Sequence, residues 1–365
     1  MMKKLCYISM LASPHQVKFC YALQKYYDTE FWFYERIGLR QAWWKIPLGD
    51  KCKIIEGVFF KARGKYMTFS LLKMLNKFKP DIVMLGGVTI PANFLAYLWA
   101  RRMKCKTVLF SERSRDRAGN LRKYSLGWRC LNFLYRKVDL ILVSSEDVVP
   151  QFRDTFRFGE KVVPARYAAD IDVYFNHPFR EAKSAYTYLF PNRLTPVYDP
   201  LKAIAIFQVI LEEFPESKLK MNASGELFER CKKKVAERNL ADSVEFLTNI
   251  KSWDELHKVY RDSDIMIFPA SFSNGNFTIM EAMASGMGLV ISNKVLGTSS
   301  YFKDGINGFC CDPEIDVFVE RIKRYISMPC LFKQHAIVNR ETVRPFSLEG
   351  TAEFTARIFR EKQIG

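Results

Sequence analysis

Residues 269–292 read PASFSNGNFTIMEAMASGMGLVIS. The pattern before and within this stretch predicts a buried strand over 265–269, a loop of small residues over 270–276, a short helix over 278–285, a turn at Gly286 and Gly288, and a second buried strand over 289–292. The loop therefore lies at the carboxyl end of one strand and the amino end of a helix, where open α/β sheets bind ligands. Free backbone N–H groups and the positive end of the helix favour an anion there. Asn274-Gly275-Asn276 lets the backbone approach a ligand closely, because Gly and Asn tolerate the dihedrals such a turn needs. Thr278 and Glu281 have the spacing of a capping box, so Glu281 has two readings. It either satisfies the start of its own helix or serves a ligand held in the loop.

The chain has 365 residues, enough for two domains of ordinary size, and 48% of them are apolar. No apolar run approaches the roughly 20 residues that span a bilayer. The apolar residues 5–11 read as a first strand rather than the core of a signal peptide. Nine cysteines are scattered without C-x2-C spacing, which suits reduced thiols in a cytosolic protein and argues against zinc. The net charge of +17 is lopsided: residues 1–180 hold 32 Lys and Arg against 15 Asp and Glu, and the remainder is neutral. Such asymmetry points to a large anionic partner.

Strand and helix patterns alternate along both halves, which predicts doubly wound parallel sheets. In the first half, strands are expected over 5–11, 29–34, 80–86, 107–110 and 138–144. Segments 36–66, 94–106 and 122–137 mix aromatic and basic residues. That mix suits the headgroup zone of a bilayer, a single-stranded nucleic acid, or a solvated basic face over aromatic core. The second half begins a new pattern at 186–190, with Asn192-Arg193-Leu194 at the carboxyl end of that strand. Helices are expected over 201–214, 228–238, 254–261, 316–328 and 348–361.

This succession resembles the large retaining glycosyltransferase family of group 1, in its bacterial surface-polysaccharide form. The resemblance rests on Arg193-Leu194, on Phe246-Leu247 with Ile250, and on 264–269. Glu281-Ala282-Met283-Ala284-Ser285-Gly286, Gly297 and Lys303-Asp304-Gly305-Ile306-Asn307-Gly308-Phe309 complete it, and Ser111-Glu112-Arg113 adds a variant loop in the first half. It implies the GT-B architecture, two Rossmann-like doubly wound parallel-sheet domains facing across a cleft. The domains would be 1–175 on the acceptor side and 176–345 for the donor, with a last helix over 346–365 packing back on the first. It further implies a hexosyltransferase that moves a sugar, with retention, from a nucleotide-sugar donor to a saccharide acceptor, without metal or other cofactor. By analogy Arg193 would contact the diphosphate and Glu281 the ribose hydroxyls. Ser273, Asn274, Gly275, Asn276, Phe277 and Thr278 would face the sugar and phosphates, and Ile250 the base. Gly297-Thr298 would present a second helix N-terminus to the diphosphate, and Glu112 would be a second candidate for the chemistry, beside Arg193.

Two departures stand out. The family's first acid, eight residues before Glu281, is Ser273 here, and its lysine five residues after the arginine is Tyr198. Arg113 and Arg115 are candidates for the missing cation, and Lys202 is near but out of register. Asp170-Ile171-Asp172 and Asp262-Ser263-Asp264 have D-x-D spacing, yet ordinary turns and caps explain both, so no metal site is expected. The leading expectation is an enzyme at the inner face of the cytoplasmic membrane. It would build capsule, O-antigen or exopolysaccharide on a lipid-linked acceptor, with its basic N-terminal domain on the anionic surface and no nucleic-acid partner. The alternatives are a degenerate, non-catalytic GT-B binding module and a GT-B sugar-nucleotide epimerase.

Overall fold

A computed structural model describes residues 2–38, 40–62, 64–114, 122–123, 125–273 and 277–365. The chain divides into two compact units, 1–168 with 348–365, and 169–347.

The first unit is built on a seven-stranded sheet. Its strands are β1 (Lys4–Leu11), β2 (Asp28–Glu35), β3 (Cys52–Ile54), β6 (Ile82–Gly86), β7 (Lys106–Ser111), β8 (Leu140–Val143) and β9 (Val162–Pro164). They run in the order β3-β2-β1-β6-β7-β8-β9, and every pairing is parallel. A separate antiparallel hairpin, β4 (Phe60–Ala62) and β5 (Lys65–Met67), stands outside this sheet. Helices α1 (Pro14–Leu23), α2 (Ser70–Phe78), α3 (Pro91–Arg102) and α4 (Leu126–Leu134) connect the strands. The α1 helix starts where Ser13 accepts from the Gln16 N–H and Pro14 takes the first turn, the arrangement that satisfies an orphan donor and presets φ.

The second unit repeats the plan with β10 (Thr187–Phe190), β11 (Lys218–Asn222), β12 (Val244–Leu247), β13 (Ile265–Phe268), β14 (Gly288–Ser292) and β15 (Phe309–Cys311). The order is β12-β11-β10-β13-β14-β15, again all parallel. Helices α5 (Pro200–Glu213), α6 (Phe228–Glu237), α7 (Leu256–Arg261), α8 (Phe277–Ser285), α9 (Ile315–Ser327) and α10 (Cys330–Val343) cover it. Both β13 and β14 are buried along their whole length, as continuous apolar runs in a parallel sheet should be. The α8 helix is buried from Ile279 to Ser285, and α10 packs against it. The Phe346 carbonyl accepts from the Ala169 N–H at 2.8 Å, so the first and last residues of this unit are joined to each other. The division accordingly falls after Ala168 rather than after 175.

The final helix, α11 (Leu348–Glu361), belongs to the first unit and packs on α1. Ala352, Ala356 and Phe359 are buried there among residues that include Val17, Cys20 and Leu23. The sequence patterns did not reveal β3, the β4–β5 hairpin or α10. The three strands are each three residues long, too short for alternation to show, and α10 mixes polar with apolar positions.

Candidate functional site

In the second unit the strand order reverses between β10 and β13, because β10 continues to β11 on one side and β13 to β14 on the other. The loops after these two strands therefore diverge and leave a crevice at the carboxyl edge. The β10 loop carries Asn192, Arg193, Leu194 and Thr195; the β13 loop leads to Ser273 and the start of α8. Asn274, Gly275 and Asn276, which the sequence places at the centre of the donor loop, lie outside the described residues.

The β10 loop is held from one side by the loop after β11. The Leu194 N–H donates to the Ser224 carbonyl at 2.7 Å, and the Leu227 N–H to the Leu194 carbonyl at 2.9 Å. Asn222 Nδ2 donates to the Pro191 carbonyl at 2.9 Å. Gly225 has φ +132°, and a Cβ there would meet backbone atoms of Leu194 at 2.4–2.7 Å. Only glycine fits both that dihedral and that approach. From the other side, Thr278 Oγ1 in the first turn of α8 donates to Asn192 Oδ1 at 3.0 Å, which ties the two diverging loops together. Arg193 is half-buried, and its Nε is buried with no hydrogen-bond partner among the described residues. Thr195 Oγ1 is in the same condition. A buried donor left unsatisfied costs free energy unless a ligand answers it.

Ser273 is buried, and its backbone is tied to the turn after β14: the Leu296 N–H donates to its carbonyl at 2.8 Å. Phe277 packs against the core of this unit. Ile250 lies in the loop between β12 and α7. Thr298 is buried, and its Oγ1 donates to the Val295 carbonyl at 3.1 Å. The expectation of a helix N-terminus at Gly297-Thr298 is not met. Residues 297–302 form a turn, in which the Phe302 N–H donates to the Thr298 carbonyl at 2.7 Å. The chain bends away at once, because Asn307 closes a second turn onto the Lys303 N–H and the Tyr301 carbonyl.

Glu281 is 2% exposed and accepts a hydrogen bond from the Tyr260 hydroxyl on α7. Burial, with Asp170 adding its charge, pushes its carboxyl up to about 7 despite that bond. Asp170 in turn accepts from Trp253 Nε1 at 2.7 Å, and Tyr174 packs on Tyr260 with ring centroids 5.3 Å apart. The sequence signals give no sign of Tyr260, and they mark Asp170 only as part of a D-x-D that ordinary turns and caps explain. Both gain their place through tertiary packing.

The departures also have structural answers. Tyr198 packs on Phe268 at 5.5 Å, so this position supplies bulk and no charge. Lys202 lies in the first turn of α5, 3.3 Å from Asp199, whose backbone is left-handed and whose side chain caps that helix. Arg113 does not offer a free cation, because it is paired with Asp147, and Arg115 lies outside the described residues. In the first unit Glu112 is exposed at the end of β7 and accepts a hydrogen bond from the Tyr167 hydroxyl. In the second D-x-D, Asp264 accepts from Lys183 and from the Thr187 N–H. Among the described residues no group of three or more His, Cys, Asp or Glu side chains could hold a metal.

Two doubly wound parallel-sheet units, the second carrying a helix N-terminus and an arginine at its switch point, define the GT-B class of glycosyltransferase folds. The comparisons agree: residues 20–167 match the glycosyl transferase 4-like domain and 176–342 match glycosyl transferases group 1. The chain therefore carries both glycosyl transferase domains, the 4-like domain in its first unit and the group 1 domain in its second. Its similarity to the poly(glycerol-phosphate) alpha-glucosyltransferase of Bacillus subtilis is 29% identity over 118 residues, 32% of this chain and 17% of that protein. Three curated relatives are matched over 42%, 17% and 58% of their own lengths, so the matches span less than two thirds of each. A solved glycosyltransferase from Rickettsia africae superposes with a TM-score of 0.75 at 16% identity, over 99% of both chains. An Anabaena protein, HepE, solved with UDP, gives 0.72 at 14% identity, over 99% of this chain and all of that one.

Proposed function

We propose that this protein transfers a sugar, with retention, from a nucleotide-sugar donor to a saccharide acceptor carried on a lipid, in the assembly of a bacterial surface polysaccharide. The observation that carries this reading is Arg193, whose buried Nε has no hydrogen-bond partner among the described residues, in a loop fixed at the switch point. A guanidinium fork suits phosphate oxygens, and the N-terminus of α8 adds a second source of positive potential. Charge develops on the diphosphate as its bond to the anomeric carbon breaks and the acceptor hydroxyl oxygen bonds to that carbon, the hydroxyl proton passing to the departing diphosphate oxygen. Fixed donors aimed at that charge lower the barrier. The chemistry needs no metal in this scheme. Glu281 would take the ribose hydroxyls by displacing the Tyr260 hydroxyl, and the backbone near Ile250 would face the base. The similarity to a UDP-bound fold makes UDP the first nucleotide to test.

A second reading has its own support. Ser273 and Tyr198 stand where the resemblance leads one to expect an acid and a lysine, and Arg113 is paired with Asp147. On that reading the chain binds a nucleotide without turning it over. Thermal-shift titration with UDP, GDP, CMP and their sugars, beside Arg193→Ala, tests the site. Product analysis, with a lipid-linked saccharide and without it, then separates transfer, epimerisation and binding alone. No nucleotide stabilising the wild type would sink the donor-site reading.

A further inference from the structure

Residues 58–78, 91–104 and 125–137 hold eleven Lys and Arg and no Asp or Glu. The fold brings these three segments, separate in sequence, onto one face of the first unit. Both β5 and α2 touch α3. Tyr135, which ends α4, packs on Phe94 and Tyr97 of α3 at 5.7 and 4.9 Å. Large apolar side chains stand in solvent across this face: Phe59, Phe60 and Phe69 at the hairpin, Leu98 on α3, Leu126 and Phe133 on α4. Phe59 and Phe69 are 64% and 61% exposed, yet their rings sit 5.4 Å apart, so they form one apolar knob. The knob belongs to the hairpin that lies outside the seven-stranded sheet. Lys65, Lys73, Lys77, Arg102 and Arg129 are exposed beside these groups.

Soluble domains rarely leave large apolar groups gathered in this way without a partner. The composition of the face says which partner it fits. A nucleic acid would use the cations and the rings but has nothing to offer Leu98 or Leu126, which have no π face to stack on. The boundary between lipid headgroups and acyl chains accepts aliphatic and aromatic groups alike, while anionic headgroups meet the cations. A protein partner would have to be strongly acidic and also offer apolar groups across helices and a hairpin. A bilayer meets both demands without a tailored shape.

We propose that the face formed by the β4–β5 hairpin, α2, α3 and α4 docks on an anionic phospholipid bilayer. Phe59, Phe60 and Phe69 enter the headgroup–acyl boundary, and the surrounding Lys and Arg lie on lipid phosphates. This deepens the function proposed above by naming the membrane footprint, and it rests on that reading only for the location of the acceptor.

The test is co-sedimentation of the full chain with vesicles of phosphatidylcholine, with and without phosphatidylglycerol, at low and high salt. A single-stranded oligonucleotide serves as competitor, and UDP binding is measured in parallel. Two variants are made, Phe59→Ser with Phe60→Ser and Phe69→Ser, and Lys65→Glu with Lys73→Glu and Lys77→Glu. The proposal expects binding at least tenfold tighter to the anionic vesicles, lost on raising the salt. It also expects at least a tenfold loss in each variant with UDP binding unchanged. Wild-type protein that binds UDP but does not sediment with anionic vesicles at low salt overturns it. So do variants that sediment like the wild type, and so does an oligonucleotide that binds more tightly than the vesicles. Sedimentation that survives while no nucleotide binds would instead leave the footprint standing and remove the transferase reading.

Discussion

Glu281 concentrates the most testable chemistry of the site in one side chain. Its carboxyl is raised from an ordinary 4.5 to about 7 by burial and by Asp170. The folded chain therefore holds this proton more tightly than the unfolded chain does. The resulting stability is fully present below about pH 4.5 and is lost as the pH rises through about 7. Glu281→Gln keeps an acceptor for the Tyr260 hydroxyl and removes the titration. Without ligand at pH 8, the variant should be more stable than the wild type by on the order of 3 kcal/mol, read by urea unfolding. The same substitution should weaken UDP binding, since an amide accepts ribose hydroxyls less strongly than a carboxylate. Arg193 makes a separate claim. Arg193→Ala should weaken UDP by about tenfold to a hundredfold, the worth of a charge-assisted contact. Uridine, which has no phosphate, should bind both proteins alike in calorimetry.

The β10 loop owes its position to an element that binds no ligand itself. Gly225 lets the β11 loop press against Leu194 and so holds Arg193 in register. An alanine there would be strained by its positive φ and would collide with backbone that cannot yield. Gly225→Ala should lower stability by about 2 kcal/mol or more and weaken UDP together with it, measured by thermal unfolding with and without the nucleotide. Gly225 follows β11 by three residues in the chain. Its meaning was hidden, because the backbone it meets lies some thirty residues earlier in the chain. Thr278 shows the same limit: its spacing to Glu281 spoke for a cap, while the fold gives its hydroxyl to Asn192.

At the level of the molecule, the chain leaves the first unit after Ala168 and returns to it at Leu348. The return helix α11 completes the core around α1, and its Phe359 meets Tyr27 at 5.9 Å between ring centroids. A chain ending at 347 should lose or lower the unfolding transition of the first unit and keep that of the second. Differential scanning calorimetry would read both, and UDP should still raise the second. Equal loss of both transitions would mean that the two units do not unfold independently. Among the described residues no helix is long and apolar enough to cross a membrane.

Period and composition were enough to read the two parallel sheets, the strand–loop–helix at 265–292, the arginine at the end of β10 and the one-sided charge. Buried strands in parallel sheets are continuous apolar runs, and a charge excess is a sum over residues that needs no coordinates. Only the tertiary structure decided that Glu281 lies under Tyr260 with Asp170 near. It likewise decided that Arg113 is spent on Asp147, that Thr298 caps a turn instead of a helix, and that three basic segments share one face. Those outcomes depend on which side chains distant in sequence meet. A buried carboxyl, a paired guanidinium and an unpaired one look alike until the fold sets their neighbours and removes their water.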